Sequence, residues 1–275
     1  MEAAASFFEN RSTSWSYDSL KNFKKLSPYV QQHLRKVYMT VGGALLVSAV
    51  GVYVHMLLGI GGLLTGLGFI GASVWLASIP SSAAEEGKRL KLLGAAAFCQ
   101  GASLGTLIEA VLNFDPSIVV TALLGSFVVF ACFSGAALLA RRREFLFLGG
   151  LLTSAVSTMM MLQFSSMLFG GASLMYMIEI YGGLLLFVGY VLFDTQIIIE
   201  KADRGDRDYV KHSLDLFVDF AGIFVRILLI LECPREGKEG RTPQSQIHSL
   251  LRLCILVKSC QNVLQNYSVW ICLFG

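Results

Sequence analysis

The chain has 275 residues, of which 55% are hydrophobic and only 15% charged, with a mean hydropathy of +0.63. That balance excludes a soluble globular domain, in which about a quarter of residues are charged. A net charge of +3 is too small to point to nucleic acid, so what matters is where the Lys and Arg fall.

Several windows of about 20 apolar residues are each long enough to cross a ~30 Å hydrocarbon core as a helix. None shows the strict alternation of a membrane barrel. The predicted fold class is therefore all-α, a polytopic membrane helical bundle of six to seven transmembrane helices. It divides into a cytosolic segment (1–36), the bundle (37–231) and a tail (232–275) that is first linker-like and then partly apolar.

Residues 1–36 are polar and basic, and without an apolar h-region they offer no cleavable signal, so the first span, 37–58, does the targeting. A second span at 60–79 carries Gly62 and Gly66, a small-xxx-small pair suited to close helix approach. Pro80 to Arg89 reads as a turn and charged loop. The third span, 92–112, holds Gly101, Gly105 and a late Glu109. The fourth, 117–140, stops at the basic run Arg141 to Arg143, and the fifth follows at 145–169. The sixth span, 173–193, continues through Asp194 to Ile199. A charged loop at 200–213 leads to a seventh, less apolar span at 214–231, with Asp215, Asp219 and Arg226.

Short loops rich in Lys and Arg stay cytosolic. The N-terminal segment and the loops after spans two, four and six hold 6, 3, 3 and 4 basic residues, and the alternate loops none, which predicts a cytosolic N-terminus. Arg235, Lys238 and Arg241 after the seventh span oppose a simple crossing, so the spacing leaves open whether that span crosses or re-enters. Cys99 and Cys132 read as reduced packing residues. Cys233, Cys254, Cys260 and Cys272 crowd the tail without metal-ligand spacing. His55 and His212 read as interfacial, and Met159 to Met161 as lipid-facing or packed between helices.

Acids inside apolar runs are the feature that asks for chemistry, since an ionised side chain in a bilayer costs about 3 kcal/mol or more. Asp194 lies five residues before Ile199 and Asp219 five after Leu214, so both sit about 8 Å in from the connecting loop. If their faces meet, the two carboxylates cannot both stay ionised and share a proton. Calcium, a hard cation that needs the ionised oxygens, would compete with that proton, which makes Asp194 and Asp219 a transient metal site as well as a proton sensor. Asp215, Asp219 and Arg226 fall within about 40° on one helix face, a polar seam. Asp215 itself reads as a helix-start residue that favours the dipole. Arg226 and Glu179 sit at similar depth near the far end and form a possible latch, with Glu109 as the alternative partner.

Phe193-Asp-Thr-Gln-Ile-Ile-Ile-Glu-Lys201, His212-Ser-Leu-Asp-Leu-Phe-Val-Asp-Phe220, Gln31-Gln-His-Leu-Arg-Lys-Val-Tyr38 and Ala140-Arg-Arg-Arg143 closely resemble the Bax inhibitor-1 family, the transmembrane BAX inhibitor motif proteins. The N-terminal wording looks like the plant branch, and the resemblance covers about residues 20–231. It implies an endoplasmic reticulum membrane protein that suppresses programmed cell death and leaks calcium in a pH-dependent way. The motif carboxylates fall on Asp194 and Asp219, with Asp215 beside them, and the basic residue that partners them falls on Arg89. The tail departs from the family's short, Lys-rich, acidic ending, so calmodulin binding and part of the protective activity are not carried over to it.

The resemblance implies partners among membrane lipid, calcium and other membrane proteins of the cell-death machinery, with no resident cofactor and no enzymatic activity. An intramembrane aspartyl protease also places paired aspartates on adjacent helices. Its Gly-x-Gly-Asp motif is replaced here by His212-Ser-Leu-Asp215. A non-conducting scaffold that acts through partner proteins is the alternative function.

Overall fold

The computed structural model describes residues 27–82, 84–140, 148–169 and 172–232, with backbone alone over 163–169 and 172–176. The basic run Arg141 to Arg143, the Gly170-Gly171 connection, residues 1–26 and the tail with its four cysteines lie outside the described residues. The described residues form seven α-helices: α1 (Pro28–Leu58), α2 (Leu63–Ser78), α3 (Glu86–Leu112), α4 (Pro116–Leu139), α5 (Leu148–Phe169), α6 (Ala172–Asp203) and α7 (Tyr209–Glu232). There is no strand among them. An all-α polytopic bundle is what the apolar windows predict.

The helix starts follow local chemistry. Ser27 accepts a hydrogen bond from the Tyr29 N–H, and Pro28 stands in the first turn, where its missing N–H costs nothing. Asp115 and Pro116 repeat the device at the head of α4. The α1 start lies nine residues before the predicted span, since the polar run Gln31 to Lys36 is helical but not apolar. At 1.5 Å per residue α1 is about 46 Å long, so its first turns overhang a 30 Å core.

Four helices, α1, α3, α4 and α6, are long and apolar enough to span a membrane. The outer faces of the bundle are apolar and bare: Leu124 and Phe127 of α4 are 62% and 61% exposed. This is a multi-pass membrane protein, with those faces meeting lipid.

Close approach occurs between α1 and α3. A Cβ at Gly51 would clash with the Phe98 carbonyl oxygen, one at Gly101 with the Ser48 carbonyl oxygen, and one at Gly105 would lie 2.6 Å from the His55 ring. The predicted contact motif at Gly62 and Gly66 is corrected: Gly62 stands outside α2 at φ 112°, in a turn opened by Gly59 at φ 65°. Only glycine adopts such backbone freely, which accounts for Gly59 and Gly62, while a Cβ at Gly61 between them would meet the His55 ring.

The helix with three charges inside its apolar run, α7, lies at the centre. Nineteen of its 24 residues are buried, including Asp215, Asp219 and Arg226, and it packs against α1, α3, α4 and α6. It is unbroken over about 36 Å, with no re-entrant turn. One end of the bundle gathers the α1 overhang, the head of α3 and the α6–α7 loop, and is called the basic end below.

Candidate functional site: a buried polar seam between α6 and α7

Helical periodicity lines up two stripes. On α6, Glu179, Gly183, Phe187, Tyr190 and Asp194 recur at spacings of three or four, and on α7 so do Asp215, Asp219, Gly222 and Arg226. Both stripes are closed to solvent: Glu179, Gly183, Phe187, Tyr190, Asp194, Asp215, Asp219, Gly222 and Arg226 are all buried. The stripes face each other. The Phe187 ring occupies the place of a Cβ at Gly222, and the Arg226 guanidinium that of a Cβ at Gly183. Glycine on each helix thus makes room for the bulky partner opposite.

Arg226 donates from Nη1 to the Gly222 carbonyl at 3.1 Å, and its Cζ stands 4.4 Å from the centre of the Phe187 ring. A guanidinium on an aromatic face keeps part of its stabilisation in a dry site. Glu179 lies one turn from Gly183 on the same stripe, toward the far end from the acids.

The acids sit at the other end of the seam. Asp194 is nine residues before the end of α6 and Asp219 ten after the start of α7, roughly 14 and 15 Å in from the loop. Both are deeper than the apolar spans suggest, because both helices run past those spans. The contacts of Phe187 with Gly222 and of Arg226 with Gly183 set Asp194 level with the turn that carries Asp215 and Asp219. The helix-start role expected of Asp215 is corrected. The helix begins at Tyr209, and Asp208 performs that role, its Oδ1 accepting the Lys211 N–H at 3.1 Å. Asp215 is therefore a third acid of the seam.

Arg89 is also reassigned. Its Nη1 and Nη2 donate to Oδ1 and Oδ2 of Asp208, each at 2.7 Å, a fork that ties the head of α3 to the α6–α7 loop. Its bonds among the described residues all go to Asp208, and not to Asp194 or Asp219. Asp208 lies in the stretch that the sequence marks only as a charged loop. Burial pushes its carboxyl up, but the Arg89 fork and the Lys211 N–H outweigh this and hold it below the usual value of 3.8. Beside it the Tyr209 hydroxyl donates to Glu86 at 2.6 Å, and burial with the Glu86 charge pushes the phenol up to about 12.

Glu109 is not the partner of Arg226. It is half-exposed at the opposite end of α3, and its carboxylate meets His55 Nε2 at 3.2 Å. The sequence reads His55 as interfacial, whereas the ring is buried against Gly61 and Gly105.

Two polar groupings were missed. His33 and His212 meet across α1 and α7 at 3.1 Å. Tyr38, Ser134 and Thr195 form a hydroxyl chain through α1, α4 and α6. His33 and His212 each sit in a stretch that carried the family resemblance, which was the available signal. Among the described residues, no group of three or more His, Cys, Asp or Glu is gathered closely enough to hold a metal ion.

Fold and seam together define a class: a multi-pass helical membrane protein built around a charged helix shielded by apolar ones. The family follows from comparison. Residues 30–236 match the model of the family described as "Inhibitor of apoptosis-promoting Bax1". The chain is 55% identical to Bax inhibitor 1 of Arabidopsis thaliana, over 84% of this chain and 94% of that protein. It is 50% identical to Bax inhibitor 1 of Oryza sativa (83% and 91% covered) and 42% identical to that of Homo sapiens (82% and 95%). The chain belongs to the Bax inhibitor 1 family, a family of cell-death suppressors.

Proposed function

We propose that this protein suppresses programmed cell death from the endoplasmic reticulum membrane as a pH-sensitive calcium leak, with its N-terminus and basic end in the cytosol. The observation that carries the reading is the seam: three buried acids level with one another near the basic end, and a buried arginine beyond them. Ionised, the acids attract a divalent cation, and protonated they do not, so acid and calcium oppose each other at one place. Calcium is cargo here, touching Asp194, Asp219 and Asp215 in passing. Arg226, held on Phe187, puts a fixed positive charge across the middle of the seam, and Glu179 one turn from its seat is the acid suited to draw it aside. The aspartates act as ion ligands and not as a protease pair, and the chain is no enzyme.

The test is calcium efflux from proteoliposomes between pH 5.5 and 8. Asp194→Asn and Asp219→Asn should each flatten the pH dependence that the unaltered protein shows. Unchanged curves would remove the acids from the mechanism. Absence of flux from the purified protein, with cell protection retained, would favour a non-conducting scaffold, a reading the close packing around α7 also supports.

A further inference from the structure

The polar cap at the basic end contains a second titratable grouping, separate from the acids of the seam. His33, on the α1 overhang, and His212, in the first turn of α7, are both buried and point ring nitrogens at each other: His33 Nε2 lies 3.1 Å from His212 Nδ1. The rings meet edge to face, with centroids 5.3 Å apart. One nitrogen must donate and the other accept, so the closed pair has a place for one proton between the rings and none for two. One residue along α7, the Ser213 hydroxyl reaches the Val37 carbonyl of α1 at 3.1 Å. Both tie the overhang to the head of α7, supplemented by Lys36 Nζ 5.8 Å from the Tyr209 ring centre.

We propose that His33 and His212 are a proton-operated catch that fastens the α1 overhang to α7 at neutral pH and releases it on acidification.

The charges that act on the pair lie on three neighbouring elements. Lys36 lies on α1, Lys201 on α6, and Asp206 and Asp208 in the α6–α7 loop. Asp206 Oδ2 is 3.9 Å from His212 Nε2, and the Asp208 charge is already engaged by Arg89. Two lysines thus offset two aspartates, and burial decides the outcome. It lowers His33 below 6.5 and His212 to about 3.

The sign follows from linkage. Each imidazole is harder to protonate when the catch is closed than when it is open, so closure is favoured above pH 6.5 and loses ground below it. Each histidine shifts the ratio of open to closed about tenfold per pH unit over the interval between its open and closed values. With both titrating, a fall from pH 6.5 to 5.5 favours opening by at most about thirtyfold. The catch does not depend on ion flux through the seam, so the experiment reads distance.

Spin labels at Arg35→Cys and Arg207→Cys, both exposed positions, in the full chain with its native cysteines replaced by alanine, report the separation of overhang and loop in lipid nanodiscs. The expected result is a single short distance at pH 7.5 and a growing long component below pH 6.5. The variant pair His33→Gln/His212→Gln, which hydrogen-bonds but does not titrate, should stay short at both pH values. His33→Ala/His212→Ala should show the long component already at pH 7.5. A distance unchanged between pH 7.5 and 5.5 in the labelled parent overturns the proposal, as does an equal lengthening in the glutamine variant or a short distance at pH 7.5 in the alanine variant.

Discussion

The Arg89–Asp208 fork makes a sharp demand on stability. Replacing Asp208 with Asn keeps the shape and the acceptor for the Lys211 N–H, but leaves a guanidinium 4% exposed with no countercharge at its fork. Breaking one side of a buried ion pair costs 3–5 kcal/mol, and because Asp208 keeps 12% exposure the low end applies, about 3 kcal/mol. For a fold of some 200 residues this is a fall in Tm of roughly 6–12 °C, readable by thermal unfolding in nanodiscs at pH 7. The double change Arg89→Met/Asp208→Leu, which removes both charges and keeps volume, should recover most of the loss. Asp208 titrates below its usual 3.8, so its contribution is complete above that value and disappears as the pH falls through the lower folded value. The gap between parent and Asp208→Asn should therefore hold from pH 7 down to about 4.5. A drop of under about 1 °C, or a double variant as unstable as the single one, would refute this account of the cap.

Two further substitutions probe the packing. Gly101→Ala should destabilise by about 1–3 kcal/mol or more, because its methyl group meets the Ser48 backbone, whereas Gly94→Ala on the same helix, with open space around it, should stabilise by about 0.5–1 kcal/mol. Two effects of the same sign in a thermal melt would contradict the α1–α3 contact. Asp115→Ala removes the acceptor for the Ser117 N–H at 2.9 Å and should cost about 1 kcal/mol of stability with little change elsewhere, checked in the same assay.

Much of this was legible from residue patterns, and the failures share causes. Apolar windows found the helices because burial in lipid selects for composition, but they did not find where helices extend beyond lipid. The polar turns from Pro28 to Lys36 and from Tyr209 to Ser213 are helical for reasons of capping, which hydropathy does not register. Misplacing the α7 start by five residues made Asp215 look like a cap and hid Asp208. The glycines teach a similar point. Gly62 and Gly66 carry the same spacing as Gly101 and Gly105, yet only the latter pair lies along a helix crossing, since Gly59 and Gly62 turn the former into a bend. Pairings between distant residues, such as Arg89 with Asp208 and Glu109 with His55, depend on how helices are arranged in space, and depth alone offered Arg226 both Glu179 and, as the alternative, Glu109.

The central position of α7 bears on how the protein is made. Between residues 214 and 231 it has thirteen Leu, Ile, Val or Phe and three charges. On an insertion scale the first contribute roughly −6 kcal/mol and the second roughly +9 at most, so the segment gains little or nothing by entering lipid alone. It becomes stable where the preceding helices offer it walls. Those helices leave the ribosome first, and they expose polar and glycine-lined faces until α7 docks among them. Assembly of the whole bundle is thus held open until its last described helix arrives, and a defect in that helix would be felt by every other one.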